Sequence, residues 1–85
     1  MQQHIYYIRF ALRFAGMQIP ELVTVFNAQV QSRGWSSMRA YHDQALLDEF
    51  QRRGIDITAL SDGNTFSFAC PVMYCKTDNR LIVRG

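Results

Sequence analysis

Apolar and polar positions along the chain follow two different periods, and the change falls near residue 54. Residues 19 to 33, IPELVTVFNAQVQSR, place Leu22, Val23, Phe26 and Val30 on one helical face. Pro20 suits a first helical turn, where its missing N–H is no loss, and Glu21 sits at the positive end of the helix dipole. Gly34 marks the stop. Residues 36 to 53 predict a second helix, with Leu46, Leu47 and Phe50 as its apolar stripe and Ala40 at the edge. Ser36 or Ser37 caps its start and Trp35 is placed to staple it. Arg52 and Arg53 fall in its last turn, and Gly54 closes it.

Residues 4 to 15, HIYYIRFALRFA, satisfy both periods. As a helix, Ile5, Ile8 and Leu12 join Phe10 and Phe14 on one broad apolar face. Tyr6, Arg9 and Arg13 form its polar side, and Gly16 ends it. As a strand, Ile8, Phe10, Leu12 and Phe14 alternate with Arg9, Ala11 and Arg13. A helix is the expected element here. The alternative makes this segment a strand joining a four-stranded sheet with two helices on one face.

Beyond Gly54 the pattern is that of strands. Ile55 to Leu60 is a short candidate, followed by the turn signal Ser61-Asp62-Gly63-Asn64. Phe66, Phe68, Cys70, Val72 and Tyr74 then alternate with Thr65, Ser67, Ala69, Pro71 and Met73. The aromatic row is expected to face the helices. Pro71 cannot donate to a ladder, so it marks an edge or a bulge. Lys76 to Asn79 form a second turn, and Leu81, Ile82 and Val83 complete the sheet. The predicted fold is α+β: two or three helices, then a small antiparallel β-meander or hairpin. The last strand, Arg80 to Arg84, is expected to offer an open edge.

Composition narrows this picture further. Eighty-five residues, 48% of them hydrophobic and 19% charged, predict a single small globular domain spanning 1–85 and exclude a disordered chain. No run is long and apolar enough to cross a bilayer, and Arg9 and Arg13 break the apolar N-terminal segment, so neither a signal peptide nor a membrane span is expected. The expectation is a cytoplasmic protein. Two cysteines five apart on one strand lie about 16 Å apart, too far for a disulfide. Cys70 reads as a small core residue, and Cys75, beside Lys76, as a thiol near a turn.

Few residues form a chemical constellation. Arg39 and Asp43 are four apart and can pair, and His42 and Asp43 project toward the side carrying Leu46 and Phe50. Polar residues there serve the first turns of a helix more often than a reaction, so no catalytic residue is assigned. Adjacent His42 and Asp43 do not face each other on a helix, and the sequence has no Cys/His cluster; no metal and no cofactor is expected.

The net charge of +2 is the balance of a basic N-terminal segment, a basic last hairpin and an acidic stretch at 55–64. Helices followed by a hairpin with a basic tip resemble the winged-helix arrangement. On that analogy residues 36 to 53 would be the recognition helix. Arg39 and Gln44 would reach bases, and Lys76, Arg80 and Arg84 would reach phosphate or another anion. Three acids on that helix, Asp43, Asp48 and Glu49, oppose such a role. The leading expectation is a non-enzymatic binding or accessory domain whose partner is another protein or its own copy. Trp35, Tyr41 and Met73 are the candidate interface residues, because 85 residues cannot easily hide this many large side chains. DNA binding of the winged-helix kind is the alternative, and no membrane partner is expected.

Overall fold

His4 begins the first helix by accepting a hydrogen bond on its ring Nδ1 from the Tyr6 N–H, at 3.1 Å. The computed structural model describes residues 4–32, 37–61 and 66–84. Helix α1 runs Ile5–Ala15, so the strand alternative for this segment is overturned. The reason is that residues 7, 10, 11 and 14 form a helical stripe. Phe14 is buried, and Tyr7, Phe10 and Ala11 pack against the core. A strand cannot bring these four to one face.

Helix α2 spans Ile19–Gln31, with Pro20 in its first turn and the Glu21 carboxylate accepting the Gln18 N–H at 2.9 Å. It ends at Gln31, before the expected stop; Gly34, Trp35 and Ser36 lie outside the described residues. Helix α3 spans Ser37–Arg52 and carries the core, with Ala45, Leu46, Leu47 and Phe50 buried. It packs chiefly on α1. Its end is a Schellman motif: Gly54 N–H donates to Gln51 O at 2.9 Å and Ile55 N–H to Phe50 O at 3.0 Å. Gly54 has φ of +76°, so the glycine is needed there.

The segment after Gly54 is not the expected strand. The Asp56 carboxylate accepts the Thr58 N–H and hydroxyl at 2.8 and 2.7 Å, which curls the chain into a 3₁₀ turn at Thr58–Leu60. Ile55, Ile57 and Leu60 still point into the core. The next turn signal lies mostly outside the described residues, but Ser61 and Phe66 form an antiparallel bridge on either side of it.

The long alternating strand shrinks to β1, Val72–Cys75, which pairs antiparallel with β2, Arg80–Val83, in the register Val72↔Val83 to Cys75↔Arg80. Upstream of Pro71 the backbone bonds elsewhere. Ser67 N–H donates to Leu60 O and Ala69 N–H to the Ser67 hydroxyl. The expected inward row therefore breaks: Phe68 stacks on Phe26 with ring centroids 4.3 Å apart, and Val72 is buried, but Phe66 and Cys70 are exposed. Cys70 is not a core residue, and both cysteines are free thiols. The result is the α+β class read from the sequence, three helices followed by a two-stranded antiparallel hairpin. This element order is compatible with a winged-helix arrangement.

Each strand of the hairpin has an outer-edge position that is already hydrogen-bonded, Leu81 on β2 and Val72 on β1. Beside β2, Leu81 N–H donates to Asp56 O at 2.9 Å and Asp56 N–H to Asn79 O at 3.0 Å. Beside β1, the Asn27 side chain of α2 donates to Val72 O at 3.0 Å and accepts the Val72 N–H at 2.8 Å. The edge expected to be open at residues 80–84 is thus engaged at Leu81.

Candidate functional site

The polar residues singled out on α3 form two ties, one near each end of the helix. At its start, Arg39 pairs with Asp43 at 3.3 Å and donates to Gln29 O in the last turn of α2 at 3.0 Å and to Ser32 O just past it at 3.4 Å. The guanidinium thus adds hydrogen bonds at a helix end, where carbonyls have few intrahelical partners, beside the Ser32 N–H that Gln29 O already accepts. The Gln29 side chain returns from α2, its Nε2 lying 2.7 Å from His42 Nδ1 and 3.1 Å from Asp43 Oδ1. His42 and Asp43 do approach, with Nδ1 and Oδ1 3.1 Å apart, because Gln29 draws both toward its amide. The imidazole also meets the Phe10 and Phe14 rings nearly at right angles, with centroids 4.9 and 5.2 Å away. The ring is thus held among side chains of α1 and α2.

At the end of α3 the same device recurs. Glu49 is only 4% exposed, and it accepts from Arg52 Nη2 at 2.5 Å and Arg53 Nε at 2.6 Å. Arg53 Nη2 donates to Phe14 O at 2.9 Å and Met17 O at 2.7 Å, at the end of α1. The adjacent Arg52 guanidinium holds the Glu49 carboxyl below its ordinary range, with Arg53 adding to the effect and burial opposing it. Between the two ties, the Tyr7 hydroxyl of α1 donates to Asp48 of α3. That bond, with burial and the nearby negative charge, pushes the phenol up to about 12.

The remaining expected site residues are dispersed. Gln44 is exposed and donates to Asp48 at 2.9 Å. Tyr41 is half-buried and stacks on His4 at 4.3 Å. On the hairpin, Lys76 and Arg84 are exposed, and Arg80 pairs with Asp78 at 3.3 Å, with both side chains half in solvent. Met73 is 47% exposed. Trp35 lies outside the described residues. The face of α3 expected to read DNA is therefore split: Arg39 is turned into α2, and Gln44 faces solvent beside Asp48.

A cleft of about 720 Å³ opens beside the α1–α2 turn, between Arg52, Arg53, Tyr74 and Lys76. Its positive character is limited. Glu49 offsets the two arginines from behind, and Glu21 already satisfies the Gln18 N–H at the start of α2. Among the described residues no three His, Cys, Asp or Glu side chains converge as metal ligands, and no helix is long and apolar enough to cross a membrane.

The feature that sequence reasoning misplaced is the outer face of α1. The sequence pattern sets Ile5, Ile8 and Leu12 on one broad apolar face with Phe10 and Phe14. Instead the apolar arc splits. Its aromatic half packs on α3, and its aliphatic half faces solvent, with Leu12 71% and Ile5 54% exposed. Tyr6 and Met38 are exposed as well. The signal was present in the spacing of Tyr7, Phe10, Ala11 and Phe14, which already fills one helical face. In comparisons with known proteins, no family model, no curated protein and no solved structure matches the chain.

Proposed function

We propose that this chain is a non-enzymatic binding domain that acts by associating with a macromolecule, another protein or its own copy, through the outer face of α1. The observation that carries the reading is the exposed row Ile5, Ile8 and Leu12 on an 11-residue helix whose opposite face is already buried. Single exposed leucines are ordinary, but three aliphatic side chains in one helical row form a surface suited to docking. The reading also agrees with the use of Arg39, His42, Asp43 and Glu49. Each is committed to holding helices together.

The test is a photo-reactive amino acid placed at position 12, with position 77 on the exposed β-turn as the control. The expected result is one discrete adduct from position 12, lost when Ile8 is changed to Asp, and none from position 77. Absence of an adduct from position 12, or equal labelling from both, would overturn the reading.

DNA binding of the winged-helix kind draws support from the order of elements and from exposed Lys76 and Arg84 on the hairpin. It predicts duplex binding that weakens with salt and with Lys76→Ala or Arg84→Ala. No duplex binding at low salt removes it.

A further inference from the structure

We infer that the outer face of α1 takes an acidic amphipathic helix from another protein, a choice that rests on the association reading above. Charge decides the occupant. At 100° per residue, Leu12 and Ile5 lie nearly opposite the buried Phe14, with Ile8 beside them. Arg9 and Arg13 run along one flank of this row, one turn apart, and both are exposed. Arg13 lies over the Phe10 ring at 5.7 Å, and neither arginine makes an ion pair with a described residue. Helix α1 itself contains no acid. The surface is therefore an aliphatic row with an unneutralised cationic rail.

A second copy meets this rail poorly. An antiparallel two-fold pairing of α1 sets Arg9 and Arg13 against the same residues of the other copy. A parallel pairing sets them against the flank formed by Ile8 and Ala15, which offers no carboxylate. A flat anionic surface is also a poorer match, because the cations occupy one flank only. A helix lying alongside α1 meets both parts at once. Its apolar residues, three and four apart, cover Ile5, Ile8 and Leu12, and its carboxylates along one edge face Arg9 and Arg13. Helix α1 is about 16 Å long, so three turns of such a partner suffice.

The experiment measures fluorescence anisotropy of a synthetic amphipathic helical peptide titrated with the full chain. The peptide carries leucines at helical spacing and glutamates along the flanks, and matched peptides carry glutamine or lysine there instead. Saturable binding of the glutamate peptide is expected, with the glutamine peptide weaker by about tenfold, since two charge pairs are lost. The double variant Arg9→Glu, Arg13→Glu should reverse the preference and bind the lysine peptide. That gain also shows the variant to be folded. Leu12→Asp should abolish binding of all three.

Equal affinity for the three peptides, or no binding of the glutamate peptide, overturns the acidic assignment. A two-chain mass by light scattering that Leu12→Asp returns to one chain overturns it in favour of a second copy. Retention on phosphatidylserine vesicles without peptide binding overturns it in favour of a lipid surface. The cross-link at position 12 separates the two claims. If the discrete adduct forms while the glutamate peptide fails, association stands and the acidic helix falls. If the adduct is also absent, both fall.

Discussion

Asn27 gives Val72 both hydrogen bonds that a neighbouring strand would give, donating to its carbonyl at 3.0 Å and accepting its N–H at 2.8 Å. One side chain on α2 thus closes the edge of β1 and fastens helix to hairpin. Val72 is buried, so water cannot easily replace the amide if it is removed.

Asn27→Ala is therefore expected to destabilise the fold by about 2 kcal/mol, the scale of buried backbone groups left unpaired. Asn27→Asp should cost a similar amount, because a carboxylate accepts from the Val72 N–H but repels its carbonyl. Urea denaturation of the two variants and the parent checks this. Asn27→Ala within about 0.3 kcal/mol of the parent would show that the edge needs no closure.

Glu49 makes stability depend on acid. Its folded pKa lies below the ordinary value of 4.5, so folding favours the ionised carboxylate. Its contribution is full above pH 4.5 and is lost as pH falls through the lowered folded value. Glu49→Gln is expected to be less stable at pH 7 and to show a flatter loss of stability between pH 5 and pH 3, measured as the urea midpoint against pH. A variant with the same acid slope as the parent would assign that slope to other carboxylates.

Tyr7 acts at the opposite end of the pH scale. Its phenol is raised from 10.0 to about 12, so folding favours the protonated hydroxyl that donates to Asp48. That contribution is full below pH 10 and is lost between pH 10 and 12. An ultraviolet absorbance titration is expected to show one of the four tyrosines ionising near pH 12, and Tyr7→Phe or Asp48→Asn to remove that late step. Four tyrosines ionising together near pH 10 would exclude the bond.

Much of the fold follows from local chemistry. The periodicity around Phe26 and around Leu46, Leu47 and Phe50 suffices for α2 and α3, and Gly54 ends α3 because its positive φ suits glycine. Pro71 already warned that the ladder would be interrupted. The failures share one cause, namely that a periodic pattern names a face without naming its partner. Phe66 and Cys70 fit a strand, but Phe66 makes only an isolated bridge to Ser61, with Ser67 N–H donating to Leu60 O, and the Ala69 N–H turns back to the Ser67 hydroxyl.

The candidate site shows the same division. The sequence by itself determined that Arg39 could pair with Asp43, because a four-residue spacing is a property of any helix. It also determined that α1 is rich in apolar side chains, Ile5, Ile8, Phe10, Leu12 and Phe14. Only the tertiary structure decided that Arg39 and Arg53 would each hold the end of another helix, since those carbonyls come from residues 7 to 39 positions away. It also decided which half of α1 was buried. The wide, flat rings of Phe10 and Phe14 pack with His42 of α3, leaving Ile5, Ile8 and Leu12 on the side that, among the described residues, stays exposed.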